Sequence, residues 1–262
     1  MYYGKTKMNN MISEIIKKNE ADLLKGKNQN PIEELKKKTQ SLPKAMDFFG
    51  AFNNFGIIAE IKLASPSAGE IENAENVLGL ASEYQDAGAD AVSIITEKYF
   101  FKGDINFIKP VKEKTGLPVL QKDFVVDPYQ IYESRISGAD ALLLIAKIIS
   151  PDQLKKFVDL CLEVGLEPVV EINDQLDLEN ALQTNTRVIA VNARDLETFK
   201  VDVDKACKLL EKIPDQYLKL GFSGVNSQEE IKKYKDAGAK GVLVGTNLIK
   251  SNDRKKFLED LR

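Results

Sequence analysis

The sequence has no histidine, no tryptophan and only two cysteines among its 262 residues. Without histidine the chain can hold neither a Ser-His-Asp triad nor a histidine-ligated metal. Cys161 and Cys207 lie in segments predicted to be helical, without metal-ligand spacing, and they do not suggest a disulfide framework. We therefore expect no metal site, and proton transfer by Lys, Glu, Asp, Tyr or Cys side chains.

Long apolar runs are also missing. The longest, 141–149, is interrupted by Lys147 and is too short to span a bilayer. The first ten residues are polar and do not predict a secretory signal. The net charge of −3 argues against a general nucleic-acid-binding surface, although a local cationic site for a phosphorylated metabolite remains compatible with it. We expect a cytoplasmic protein that binds neither membranes nor nucleic acids.

Residues 8–48 are polar and rich in lysine, with apolar side chains at helical intervals. Ile12, Ile15 and Ile16 would line one face of a helix, and Pro31 can open a second helix. Because such a face needs burial, we predict a helical extension packed against the main domain. A solvated basic arm is the alternative.

After residue 56, short β-rich runs alternate with amphipathic helical stretches. The predicted strands are 57–62, 91–96, 118–122, 141–145, 168–171, 188–192, 218–222 and 241–244. The predicted helices between and after them are 75–87, 105–115, 128–137, 152–164, 174–183, 203–212, 227–237 and 252–261. Three strands follow nearly identical phrases in which a glycine is typical of a helix C-cap. These phrases are Asp86-Ala87-Gly88-Ala89-Asp90, Ser137-Gly138-Ala139-Asp140 and Asp236-Ala237-Gly238-Ala239-Lys240.

Eight such units predict an α/β fold, a (β/α)8 TIM barrel with parallel strands and right-handed crossovers. We predict a single domain over residues 1–262, with residues 1–48 as its N-terminal helical extension. A doubly wound open sheet is the weaker alternative, because no G-x-G-x-x-G follows the first strand.

Polar side chains recur at the carboxyl ends of the predicted strands, where TIM barrels place their active sites. Glu60 and Lys62 share one face of the first strand, since strand side chains alternate. Alone, this pair fits a salt bridge as well as an acid–base site. Lys122, Glu171 and Asn192 stand at the carboxyl ends of other predicted strands and would therefore lie at the same open end of the barrel, which we call the mouth. Together with Glu60 and Lys62 they predict an acid–base and anion-binding centre.

Small residues follow the last two predicted strands. In this fold these loops, with a short extra helix, often bind phosphate, because small residues let backbone N–H groups approach the anion. We predict that Gly224, Gly245 and Thr246 bind phosphate, with Lys62 and Ser65 contributing from the first loop. The alternative is that the glycines only cap helices.

Several ordered motifs carry a family resemblance over nearly the whole chain. They are Ile58-Ala59-Glu60-Ile61-Lys62 with Ser65-Pro66-Ser67, Leu120-Gln121-Lys122-Asp123-Phe124, Glu167-Pro168-Val169-Val170-Glu171-Ile172-Asn173-Asp174, Val191-Asn192-Ala193-Arg194-Asp195-Leu196, Ser223-Gly224 and Val244-Gly245-Thr246. With these motifs the chain resembles indole-3-glycerol phosphate synthase, a barrel enzyme of tryptophan biosynthesis. No single motif is specific, but the ordered set is.

The resemblance implies ring closure of 1-(2-carboxyphenylamino)-1-deoxyribulose 5-phosphate with loss of CO2 and water, without a cofactor or metal. Lys122 is then the general acid at the carbonyl, and Lys62 binds the substrate carboxylate or phosphate. Glu171 and Glu60 move protons during dehydration and rearomatisation, and Asn192 orients substrate hydroxyls or a glutamate. The division of roles between the two lysines stays open.

The resemblance also implies a set of substrate-binding residues. Phe101, Phe124 and Leu143 wall the aromatic ring, while Ser223 and Arg194 join the substrate- and phosphate-binding residues. The expected ligand is a small phosphorylated substrate. We expect a monomer, with association with another enzyme of tryptophan synthesis left open.

The match departs from the family at two positions. The family usually has glutamate at the end of the seventh strand, where this chain has Phe222, and a basic residue where it has Ala68. Phe222 removes a charge and adds apolar bulk. It leaves open a homologue that binds the phosphorylated ligand without turnover or with altered specificity. A phosphoribosylanthranilate isomerase-like enzyme is a further alternative, disfavoured by the N-terminal extension and the Ser-Pro-Ser loop.

Overall fold

The computed structural model describes residues 10–66 and 69–262. Eight parallel strands form a closed barrel. They are β1 (Gly56–Ile61), β2 (Ala91–Ile95), β3 (Val119–Lys122), β4 (Ala141–Ile145), β5 (Glu167–Ile172), β6 (Val188–Asn192), β7 (Leu218–Phe222) and β8 (Gly241–Val244). Neighbours follow chain order, and β1 pairs with β8 to close the ring. The predicted TIM barrel is confirmed, and the open sheet is wrong.

Helices connect the strands at the predicted places, with ends displaced by a few residues. They are α1 (Asn10–Gln29), α2 (Ile32–Gln40), α3 (Val77–Asp86), α4 (Ile108–Thr115), α5 (Pro128–Ser137), α6 (Pro151–Val164), α7 (Gln175–Ala181), α8 (Val203–Leu210), α9 (Gln228–Asp236), α10 (Thr246–Lys250) and α11 (Arg254–Leu261). The predicted extension covers residues 1–48, and residues 1–9 lie outside the described ranges. No helix in the described ranges is both long and apolar enough to cross a membrane.

Local chemistry sets where the connecting helices begin and end. Asp127 and Ser150 form capping boxes at the starts of α5 and α6, each followed by a proline in the first turn. The glycines of the repeated phrases have the positive φ expected of C-caps; Gly138, for example, has a φ of 98° and ends α5. The chain therefore reverses direction within a few residues and enters the next strand.

Aspartates of two repeated phrases fasten the strands at the amino-terminal face of the barrel. The N–H of Ile57 donates to Asp90 Oδ2 at 2.7 Å, and the N–H of Val119 donates to Asp140 Oδ2 at 2.9 Å. Asp140 Oδ1 also accepts from the N–H of Met46 and from Lys112 Nζ, both at 2.6 Å. One buried carboxylate thus joins the barrel, a helix and the N-terminal extension.

The N-terminal extension packs against α5 and the adjoining loops. Leu23 and Leu35 form an apolar cluster with Tyr129 and Tyr132. Lys27 Nζ contacts Asp127 Oδ2 at 2.7 Å, which brings α1 to the carboxyl-terminal side of the barrel. The alternative of a solvated arm is wrong, because burying this apolar surface is favourable.

Asp140→Asn is expected to lower the free energy of unfolding by about 1–3 kcal/mol, because one of the two carboxylate oxygens that accept hydrogen bonds becomes a donor. Urea unfolding followed by circular dichroism measures the change. The control is Asp236→Asn, whose exposed carboxylate lies 3.8 Å from the exposed Lys232, and little change is expected there. Equal midpoints for Asp140→Asn and wild type would contradict the role given to Asp140.

Candidate functional site

Three charged side chains meet at the carboxyl end of the barrel. Lys62 Nζ donates to Glu60 Oε1 and to Thr246 Oγ1, each at 3.0 Å. Lys122 Nζ lies 3.8 Å from the other carboxylate oxygen of Glu60. A Cβ atom at Gly245 would collide with Glu60 Oε1, so this glycine makes room for the carboxylate. The predicted convergence of Glu60, Lys62 and Lys122 is therefore present in the structure.

A second pair lies across the barrel, on β5 and β6. Asn192 Nδ2 donates to Glu171 Oε1 at 3.0 Å. Glu171 is 1% exposed, and its Oε2 has no hydrogen-bond partner among the described residues. Arg194 follows on the same loop and donates through Nη1 to the carbonyl oxygen of Phe199 at 3.0 Å. Asn192 therefore contacts a glutamate of the mouth.

The two mouth glutamates have opposite electrostatic settings. Burial alone would raise the pKa of Glu60, but the positive charges of Lys62, Lys122 and Arg194 outweigh burial and hold that pKa below its ordinary value. Glu60 is therefore an anion at neutral pH.

Burial also raises the pKa of Glu171, and there its effect is larger than the effects that lower the pKa. The charge of Lys122 and the hydrogen bond from Asn192 lower the pKa of Glu171 only in part, and the negative charge of Glu60 opposes them. The pKa of Glu171 is consequently raised. Two carboxyl groups whose pKa values are pushed apart are the usual arrangement for one proton carrier and one fixed charge.

The loop after β7 adopts a backbone that few residues other than glycine accept. Ser223 has a φ of 68° and Gly224 a φ of 75°. The hydroxyl of Tyr234 donates to the carbonyl oxygen of Ser223 at 2.9 Å and fixes the turn. A Cβ atom at Gly224 would clash with the side chain of Val203. This glycine is thus required for packing, whether or not its N–H group meets an anion.

The first and last loops of the barrel are joined by the hydrogen bond from Lys62 to Thr246. Thr246 is the first residue of the short helix α10. Ser65 lies in an antiparallel hairpin, 64–65 with 69–70, which the sequence did not predict. Ser67 and Ala68, which the sequence analysis singled out, lie outside the described residues.

Two of the residues predicted to contact the substrate's aromatic ring lie near each other. The ring centroids of Phe101 and Phe124 are 6.5 Å apart. Leu143 is fully buried, and it precedes Ile145, the strand partner of Glu171, by two residues. Leu143 therefore lies one layer below Glu171 in the barrel.

Phe222 points into the barrel at the level of Asn192. The two residues are register partners on β7 and β6, and Phe222 is 1% exposed. A Cβ atom at the preceding Gly221 would collide with the ring of Tyr234 on α9, so Gly221 faces the helices and Phe222 faces the interior. The expected replacement of a mouth carboxylate by an apolar ring is therefore located inside the barrel.

Sequence reasoning gave no role to Asn173. Asn173 follows β5 and bonds to the loop after β6; its place directly after a strand end was the available signal.

Sequence reasoning also missed a cavity outside the barrel wall. This cavity of about 380 Å³ lies between α1 and the ends of β2 and β3, lined by Asn19, Asp123 and Glu133 among others. Burial raises the pKa of Glu133 to about 7. The described residues contain no group of three or more His, Cys, Asp or Glu side chains placed to hold a metal ion.

Solved structures share the fold at low sequence identity. A 3-hexulose-6-phosphate synthase matches with a TM-score of 0.65 and 15% identity, covering 79% of this chain and 98% of that chain. A mutant tryptophan synthase α-subunit from Pyrococcus furiosus matches with a TM-score of 0.60 and 16% identity, covering 79% of this chain and 97% of that chain. At this identity the likeness shows the barrel fold alone.

Sequence relatives are more informative. The family model described as indole-3-glycerol phosphate synthase matches residues 12–261. The protein of that name from Acetivibrio thermocellus is 37% identical over 257 residues, which cover 96% of this chain and 99% of the relative. The one from Caldanaerobacter subterraneus subsp. tengcongensis is 41% identical over 220 residues, covering 82% and 86%. The chain therefore belongs to the indole-3-glycerol phosphate synthase family.

Proposed function

We propose that this protein catalyses the reaction of its family, with Lys122 and Glu171 as its proton-transfer groups and Glu60 as the fixed anion beside the two lysines. The substrate is 1-(2-carboxyphenylamino)-1-deoxyribulose 5-phosphate, and the products are indole-3-glycerol phosphate, CO2 and water. The observation that carries the proposal is the buried Glu60 carboxylate held between two lysines, opposite a glutamate with a raised pKa.

Ring closure needs a proton on the ketone oxygen while the ring carbon bearing the carboxylate attacks the carbonyl carbon. A new carbon–carbon bond forms, and loss of CO2 returns its bonding electrons to the ring. Lys122 is suited to donate the proton, since its ammonium group lies at the mouth beside the anionic Glu60. General acid catalysis of this kind contributes typically 10²–10⁴-fold to the rate.

Dehydration needs a proton for the departing hydroxyl group and removal of a proton from the neighbouring carbon. Glu171 is suited to both transfers, because its raised pKa brings its proton affinity closer to neutrality. Glu60 keeps its negative charge and holds Lys62 and Lys122 in place. The supporting observation is the opposite direction of the two pKa shifts.

We assign the binding of the substrate's anionic groups to the part of the mouth that contains Lys62 and the loops after β7 and β8. Lys62 bonds to Thr246, so its charge lies next to the small-residue loops after β7 and β8. Ser223, Gly224 and Gly245 are partly exposed there and are proposed to bind the phosphate, and Ser65 and Arg194 complete the proposed anion contacts. Phe101 and Phe124 bind the anthranilate ring above Leu143. Holding both ends of the substrate brings the reacting carbons together, which lowers the entropic part of the barrier.

The protein is further proposed to act in the cytoplasm as a monomeric single domain, alone or beside another enzyme of tryptophan synthesis. These expectations stay predictions.

Lys122→Ala and Glu171→Gln are each expected to lower kcat by about 10²–10⁴-fold, because each removes a proton-transfer group. Fluorescence of the indole product measures turnover. Asp215→Asn, on the surface far from the mouth, serves as the control with normal kcat. Near-normal turnover in both Lys122→Ala and Glu171→Gln would refute the assignment of these residues as proton-transfer groups.

Phe222→Glu tests the departure from the family. We expect wild type to turn over, since Glu60, Lys62, Lys122, Glu171 and Asn192 are all in place. The new carboxylate enters a buried site near two others, so a lower melting temperature is expected. If only Phe222→Glu were active, the alternative of a homologue with lost or changed chemistry would replace this proposal.

Glu171→Gln and Glu60→Gln are expected to change the pH dependence of stability in opposite directions. The folded pKa of Glu171 is raised, so ionisation costs stability as pH rises above the ordinary value of 4.5, and Glu171→Gln gains stability relative to wild type there. The folded pKa of Glu60 is lowered, so its carboxylate stabilises the fold above 4.5, and Glu60→Gln loses stability there. Melting temperatures from pH 4 to pH 8 measure both; shifts of the same sign would refute the charge assignment.

A further inference from the structure

Asn173 connects two strands of the mouth wall behind the candidate site. It follows β5 directly and is 6% exposed. Its side-chain Nδ2 donates to the carbonyl oxygen of Asn192 at 3.0 Å and to that of Arg194 at 2.9 Å. Its backbone N–H donates to Asp177 Oδ2 at 2.9 Å, so the start of α7 fixes Asn173 itself.

The segment that Asn173 holds also carries the partner of Glu171. The N–H of Arg194 donates to Asn192 Oδ1 at 3.0 Å, while Asn192 Nδ2 donates to Glu171 Oε1 at 3.0 Å. The Asn192 amide is thus held at both ends. One end depends on where the Arg194 backbone lies, and Asn173 bonds to that backbone.

We propose that Asn173 is a positioning residue that fixes the Asn192–Arg194 backbone and thereby keeps the Asn192 amide on Glu171. The kinetic consequences of this inference rest on the proposed function. A planar amide suits the task because its two N–H bonds can serve two carbonyl oxygens at once. Alanine offers no donor, and an ionised aspartate would place oxygen against oxygen.

The charge state of Glu171 reports whether the amide is in place. Glu171 is faced by Lys122 from β3, by Glu60 from β1 and by Asn192 from β6. Lys122 and Asn192 favour the carboxylate, and Glu60 disfavours it. Releasing the Asn192 amide removes one of the two favourable contributions, so Glu171 should hold its proton to higher pH.

The test compares Asn173→Ala, Asn173→Ser, Asn192→Ala and the double variant Asn173→Ala/Asn192→Ala with wild type. The control is Thr186→Val at the opposite end of the same two strands. The Thr186 hydroxyl lies 2.8 Å from the carbonyl oxygen of Pro168 and 3.0 Å from that of Val188, so its loss also removes hydrogen bonding between β5 and β6.

Two readouts are taken, one of them independent of turnover. Steady-state kinetics give kcat and KM. Carbon-13 NMR of protein labelled at glutamate carboxyls follows the titration of Glu171 without ligand, with Glu171→Gln identifying the signal. We expect Asn173→Ala to lower kcat about 10- to 100-fold with KM changed little, because displaced catalytic groups cost rate. The Glu171 titration should move to higher pH by about half a unit or more, since one hydrogen bond to the charged form is lost.

Each result separates the inference from its alternatives. Thr186→Val should lose stability while kcat and the Glu171 titration stay as in wild type. Asn173→Ala should add almost nothing in the Asn192→Ala background, since coupled residues are not additive. An unchanged Glu171 titration, or full additivity, would overturn the positioning role. If Asn173→Ala does not fold, Asn173→Ser, which keeps one donor, is measured in its place. An intermediate shift of the Glu171 titration would support the positioning role, and no shift would overturn it. Inactive wild type would refute the proposed function, while the titration would still decide the role of Asn173.

Discussion

The carboxylate of Glu60 is the charge on which the mouth of this barrel depends. It is buried at the end of β1 and has a lysine at each oxygen, Lys62 at 3.0 Å and Lys122 at 3.8 Å. A buried charge is costly unless it is paired and hydrogen-bonded. The two lysines therefore stabilise the charged state of Glu60, and removing Glu60 would leave two cations close together without an anion.

Glycine and hydroxyl side chains make this arrangement sterically feasible. Gly245 provides the space that the Glu60 carboxylate occupies, and Thr246 accepts a hydrogen bond from Lys62. The loops proposed to bind phosphate are thus also the loops that shape the acid–base centre. A substitution at Gly245 would disturb both the Glu60 carboxylate and the proposed phosphate site. A loss of activity in such a variant should therefore not be attributed to phosphate affinity alone.

The replacement of a family glutamate by Phe222 has an electrostatic consequence. With a phenyl ring on β7, two carboxylates, Glu60 and Glu171, face the two lysines of the mouth. A third carboxylate at that height would repel Glu171 and raise its pKa further. The apolar ring instead lies at the level of Asn192 and adds no charge there. The opposite pKa shifts of Glu60 and Glu171 are thus present without a third acid on β7.

The sequence by itself determined the barrel, its eight strands and the mouth residues Glu60, Lys62, Lys122, Glu171 and Asn192. Strand alternation, helix caps and the rule that parallel strands end at one edge are local or topological, so they can be inferred from spacing. Only the tertiary structure decided that Gly245 accommodates a carboxylate, that Asn173 bonds to the loop after β6, and that the two glutamates differ in pKa. Those properties depend on distances between residues far apart in the chain and on burial, and neither is encoded in local periodicity.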